Sequence, residues 1–283
     1  MDRVGAEVDG TAGAARCATA VLSRRGGRRA GTRPYGRISW LAMLPAQPDR
    51  AAQPDRGASP DGPPPARPAH VPELAYRDED GGSFPLHVWR FAAPLRAISC
   101  GPYGGGIGER HWLINATVHR DYARLDPQAH VAELADRLGL AKAGSGLLTA
   151  VPVTRAVIAD DGGVRVVATV GLGHPTKAAG PEADTHLAAV GTINIVALLP
   201  VSLSDAALVN AVATATEAKV QALTDQGVDA TGTATDALFI GSSGTGAVEP
   251  FGGPRSTWGA RIARAVHAAV AMGTVRWRSP SQP

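Results

Sequence analysis

The longest run of helical periodicity covers 203–227, where Leu208, Val212, Ala215, Lys219, Ala222 and Leu223 fall on one face of a 3.6-residue repeat. Ser204 and Asp205 supply start signals and Gly227 a stop, which predicts a helix of about six turns. The other side carries Ala206, Val209, Ala213, Glu217 and Val220 and is scarcely more polar, so the helix is expected to be buried on most sides. Two charges, Glu217 and Lys219, therefore sit in apolar sectors. Two positions apart, they point in different directions and do not pair with each other. Either each finds a structural partner elsewhere, or the helix lines a site where desolvation tunes their acidity. The segment that follows is Thr231, Gly232, Thr233, Ala234, Thr235 and Asp236. Three hydroxyls, a carboxylate and a permissive glycine in six positions exceed what a plain turn uses.

Elsewhere strand and helix signals are mixed. Residues 86–93 and 96–100 read as short strands, and 101–108 as a glycine-rich turn that matches neither nucleotide-binding glycine pattern. Residues 112–118 form a strand with Asn115 at its middle, an unfavourable place for an amide without buried work to do. Asp126 and Pro127 open a helix that Gly139 closes, with Val131, Leu134, Ala135 and Leu138 facing inward and His130 off that stripe, in solvent. Strand signals return at 146–151, 154–159 and 164–172; the turn at 159–163 makes the last two a hairpin, and Gly171, Gly173 and His174 close the segment. The nearly continuous apolar run 190–199 reads as a strand covered on both faces, interrupted by Asn194 as the earlier strand is by Asn115. Residues 237–240 give another strand, and 241–254 a glycine-rich loop. Ser256 caps a last helix with Ile262, Ala265, Val266, Ala269 and Val270 inward, and 274–283 look like a loose tail. The mixture lacks strict alternation, which predicts an α+β fold: a layered mixed sheet packed with helices in a single domain, with an α/β layered sandwich as the alternative.

Composition changes the picture at the N-terminus. Half of the 22 prolines fall by Pro85, among Ala, Gly, Arg and Asp with few spaced apolar residues. Residues 1–84 are therefore expected to be a disordered extension, 85–275 the domain and 276–283 a flexible tail, with Met43 an alternative translation start. The net charge of +3 comes from that extension: residues 1–43 hold eight arginines against three acids, and removing them from totals of 28 and 25 leaves 20 basic and 22 acidic. A near-neutral remainder argues against a nucleic-acid partner. No apolar run reaches the length of a membrane span. Cys17 and Cys100 fit neither a metal site nor a disulfide framework, which points to the cytoplasm; a homo-oligomer is left open.

Several segments, in order, carry a resemblance: WLINATV at 112–118, GLLTA at 146–150, ATVGLG at 168–173, GTINI at 191–195, LSDAAL at 203–208, TEAK at 216–219 and TGTATD at 231–236. Together with the closing Trp-Gly helix they resemble the adenosylcobinamide amidohydrolase family. The resemblance implies an enzyme of corrinoid salvage that hydrolyses the amide joining aminopropanol to the corrin ring of adenosylcobinamide. The products would be adenosylcobyric acid, which re-enters cobalamin synthesis, and 1-aminopropan-2-ol. The cobalt corrinoid would be the substrate, with no separate cofactor; a non-catalytic corrinoid-binding protein is the alternative.

Amide hydrolysis needs a base, an oxyanion donor and an acid for the leaving amine. The eight histidines show no paired metal-ligand spacing, and no nucleophile elbow is present, so neither a metal nor that serine arrangement is expected. The catalytic candidates are Glu217 or Lys219 as base, acting on water or on a threonine hydroxyl such as that of Thr233, with Asp236 orienting the base or the amine. Asn115, Asn194, Thr231, Thr235, Gly171, Gly173 and His174 are expected to meet the substrate, His174 from the lower face of the cobalt. For each asparagine, a structural hydrogen bond inside the sheet is an equal expectation.

Overall fold

The computed structural model describes residues 71–180 and 191–279; the Met43 start, residues 1–70 of the expected extension and 280–283 of the expected tail lie outside them. Order begins before the expected boundary at 84. Strand β1 (Glu73–Glu79) pairs antiparallel with the start of β2 (Gly82–Ser99). Asp80 and Gly81, both at positive φ (48° and 74°), make the tight connection that a two-residue hairpin favours. The two short strands expected at 86–93 and 96–100 are one strand with a register shift between Arg90 and Leu95, next to Pro94, which has no N–H to give a ladder.

Among the described residues an eight-stranded mixed sheet runs in the order β4 (Gly144–Thr149), β3 (Gly106–Thr117), β2, β9 (Ala237–Ser243), β7 (Ile193–Leu199), β6 (Val164–Val170), β5 (Val157–Asp161), with β1 beside the first half of β2. β3 lies parallel to β4 and β7 parallel to β9; the β5–β6 hairpin is antiparallel, as its turn predicts. A 3-10 turn (Val153–Arg155) replaces the start of the strand expected at 154–159, whose last three residues open β5. A second sheet of two short strands joins β8 (Ser202–Leu203) and β10 (Val248–Glu249).

Strand alternation divides the core in three. Val164, Val166, Ala168, Ile193, Ile195 and Ala197 face α2 (Asp205–Asp225) and α3 (Thr257–Arg278). Trp112, Ile114 and Ala116 belong to the cluster that includes Leu134 and Ala135 of α1 (Pro127–Arg137). The intervening positions, Trp89, Leu113, Leu147, Val167, Val196 and Phe239, meet each other. Residues from six strands converge there because the sheet curls, bringing β4 toward β7. Asn194 Nδ2 donates to Leu148 O and to Asn115 Oδ1, both at 2.9 Å, across the inside of that curl. The two mid-strand asparagines thus satisfy each other, the structural alternative weighed for them.

Both long helices start where their caps predict: Ser204 Oγ accepts the Ala207 N–H and Ser256 Oγ the Gly259 N–H. Gly227 closes α2 at a φ of 68°. α3 continues through the expected tail to Arg278, because Gly273 and Thr274 are buried and a Cβ on Gly273 would collide with Val170. α2 is not buried on most sides. Val209, Ala213 and Glu217 face solvent, and the helix looked apolar all round only because alanine serves on either face. No helix among the described residues is long and apolar enough to cross a membrane.

Candidate active site

The buried charge on α2 has its partner in the threonine segment. Lys219 is 7% exposed, and its Nζ lies 2.5 Å from Asp236 Oδ2. Asp236 accepts three more hydrogen bonds: from Ile193 N–H (2.9 Å) and Thr233 O–H (2.5 Å) at Oδ1, and from Thr233 N–H (3.1 Å) at Oδ2. A carboxylate offers about four lone-pair positions, so every one is taken. In this arrangement Asp236 ties α2, the start of β7 and the turn before β9 to one point. Gly232 lies directly against the pair, since a Cβ there would collide with both Asp236 Oδ2 and Lys219 Nζ. That contact accounts for the glycine inside the threonine run.

The other hydroxyls staple loops. Thr192 Oγ1 donates to Thr235 O (2.8 Å) and Thr235 Oγ1 to Gly191 O (3.2 Å). Thr231 Oγ1 accepts from Ala178 N–H (2.8 Å) and donates to Thr176 O (3.2 Å), holding the loop that carries His174. These ties bound a cavity of about 670 Å³, within the range of small-molecule sites. The loop after β3 contributes Val118, Asp121 and Tyr122; β4 contributes Leu148 and Thr149; Thr192, Thr235 and Asp236 come from the chain before β7 and β9. Cys100 and His174 also line it. Cys100 is a free thiol whose Sγ accepts the Leu238 N–H at 3.1 Å.

The structure therefore gathers some expected site residues and separates others. Asp236, Thr235 and His174 line the cavity, with Lys219 and Thr233 joined to Asp236 just behind. Gly171 is buried, its N–H donating to Thr192 O at 2.9 Å, while Gly173 is exposed in the next turn of the loop. Asn115 and Asn194 are not among the lining residues, and Thr231 acts on the loop. Glu217 is exposed on the solvent side of α2, about 200° round the helix from Lys219, and does not reach the cavity. Among the described residues no three His, Cys, Asp or Glu side chains converge as a metal site.

Sequence reading missed a second polar cluster. His130, expected in solvent, is 1% exposed. Its Nδ1 shares a 3.0 Å hydrogen bond with Tyr122 Oη, and its Nε2 lies 2.8 Å from Glu79 Oε1, off the direction of its N–H bond. Glu79 in turn receives Arg77 at 2.8 Å. Burial holds His130 below the ordinary histidine value; Glu79 opposes that shift, while Arg124 and Arg77 add to it. Burial likewise raises Tyr122. Helical periodicity hides this group because its members come from β1, a loop and α1.

The chain matches a family model described as adenosylcobinamide amidohydrolase over residues 72–282. It is 30% identical over 181 residues to the adenosylcobinamide amidohydrolase of Methanosarcina mazei, covering 61% of this chain and 86% of that protein. With the adenosylcobinamide amidohydrolase of Halobacterium salinarum it shares 34% identity over 191 residues, 65% of this chain and 82% of the relative.

Proposed function

The chain belongs to the adenosylcobinamide amidohydrolase family, and we propose that it hydrolyses the amide linking aminopropanol to the corrin ring of adenosylcobinamide. The products of that reaction are adenosylcobyric acid and 1-aminopropan-2-ol, which serves cobalamin salvage. The observation that carries this reading is that every residue lining the cavity falls inside the matched segment 72–282. The lining combines apolar side chains with the hydroxyls of Thr149, Thr192 and Thr235, suited to a macrocycle fringed with amides. Lys219, Asp236 and Thr233 act in this reading as the frame that fixes the cavity wall. The cobalt enters as part of the substrate, and the protein needs no cofactor of its own. This reading places the enzyme in the cytoplasm, in keeping with two cysteines too sparse for a disulfide framework.

Incubating the purified protein with adenosylcobinamide and quantifying both products tests the proposal. Equal amounts of aminopropanol and adenosylcobyric acid are expected. A corrinoid that binds, as seen in its absorption spectrum, without releasing aminopropanol makes the protein a carrier and overturns the enzymatic reading.

A further inference from the structure

We propose that Tyr122 is a catalytic residue of this hydrolysis, moving a proton between the cavity and the buried imidazole of His130, with Glu79 as the countercharge behind it. The inference rests on the reaction proposed above. Of the three residues, only Tyr122 lines the cavity. Its hydroxyl meets His130 Nδ1 at 3.0 Å, the two rings stack with centroids 5.5 Å apart, and Glu79 Oε1 stands 2.8 Å from the far nitrogen. Carboxylate, imidazole and hydroxyl thus stand in a row that ends at the site, with Glu79 off the line of the His130 N–H bond and so acting as a nearby charge and not as a hydrogen-bond acceptor.

The other titratable residues lining the cavity are less suited. Asp236 has no lone pair left, and Cys100 Sγ is occupied by a backbone N–H. Asp121 is mostly exposed, with its carboxylate 3.7 Å from His119 Nδ1, which accepts the Asp121 backbone N–H. His174 is exposed on its loop. His130 is shielded from solvent, and its burial keeps the imidazole neutral and able to accept a proton at the pH of the cell. The charged groups around it are Glu79 and Arg77 on β1, Arg124 and Asp126 before α1, and Glu133 on α1 itself.

In the first step the water O–H bond breaks as its oxygen bonds to the amide carbon and the C=O π pair moves onto the carbonyl oxygen, to return when the C–N bond breaks. The water proton passes to the Tyr122 oxygen while the phenol's own proton moves to His130 Nδ1. The resulting imidazolium is stabilised by Glu79. In the second step the C–N bond breaks, and the proton returns from Nδ1 through the phenol to the leaving nitrogen. Water is consumed, a carboxylic acid and an amine are formed, and the residues end as they began.

Tyr122→Phe keeps the ring and its packing while removing the hydroxyl. Measured against wild type with adenosylcobinamide, it is expected to lower kcat by about 100-fold or more with KM changed by less than about threefold. Wild-type kcat/KM is expected to fall on the acid side as His130 protonates, and that limb is expected to vanish in Tyr122→Phe and in His130→Gln. Circular dichroism and corrinoid binding by absorbance should match wild type for Tyr122→Phe, the variant that decides if His130→Gln does not fold. Near-normal kcat in Tyr122→Phe, or an unchanged acid limb, overturns the assignment while leaving the hydrolase reading intact. A wild-type protein that releases no aminopropanol overturns both.

Discussion

Lys219 and Glu217 differ by two positions and by everything that surrounds them. Lys219 gives its ammonium to a carboxylate with 12% of its side chain exposed, whereas Glu217 points to water. Lys219→Met should destabilise the protein by about 3 kcal/mol, the low end for a broken buried pair, because three neutral donors still hold Asp236. Adding Asp236→Asn should recover nothing, because the amide NH2 would face the backbone N–H of Ile193 or of Thr233 whichever way it is turned, as urea midpoints would show. Glu217→Gln should leave both stability and turnover within about twofold of wild type; a larger loss would return that residue to the site. The lysine's anomaly was legible in the sequence; its direction, toward the threonine segment, was not, since period alone does not say which face of an alanine-rich helix is covered. His87 gives a pH test. Burial lowers its pKa from 6.5 to about 4, and its Nδ1 is buried without a hydrogen-bond partner. The folded state therefore binds fewer protons than the unfolded one between those values. Its neutral form contributes stability that is full above pH 6.5 and is lost as pH falls toward 4. His87→Phe should flatten the fall in urea midpoint between pH 7 and 4, by no more than about 3 kcal/mol of stability.

At the scale of elements, caps and turns carried most of the information. Ser204, Ser256 and Gly227 marked helix ends that the structure keeps, and the Asp-Asp-Gly-Gly turn marked its hairpin. β1 was lost to the proline-rich composition around it, although the Asp80-Gly81 pair is itself a hairpin signal. This strand does more than extend the sheet, since Glu79 contacts His130 and Arg77 Nη2 donates to Thr117 O at 2.8 Å. A chain cut to begin at Ser83 should consequently be less stable than the full chain. It should also lose the protection of its Tyr122–His130 pair, seen as faster hydrogen exchange in α1. Equal exchange in both chains would mean that β1 is dispensable. The end of α3 was missed for a different reason: Gly273 and Thr274 look like breakers in a sequence, yet here they are the small residues that let the helix approach β6.

At the scale of the molecule, the mixed sheet packed with helices was legible from composition and periodicity, and the curl was not. Strand order depends on pairings between residues far apart in sequence, such as Val196 with Phe239 or Leu95 with Ser243, which no local pattern encodes. For the same reason the cavity's threonines were partly found, inside one short segment, while Tyr122 and His130 were not. The curl also has a bearing on behaviour in concentrated solution. β4 ends the strand order, and its outward backbone would ordinarily invite a strand from another chain. Tyr103 O takes the Gly146 N–H, and the Asn194 amide takes Leu148 O, so the border is occupied from within. Replacing Asn194 with leucine would leave Leu148 O and the Asn115 amide oxygen without their donor, and the symptom would be a lower melting temperature accompanied by self-association that rises with protein concentration.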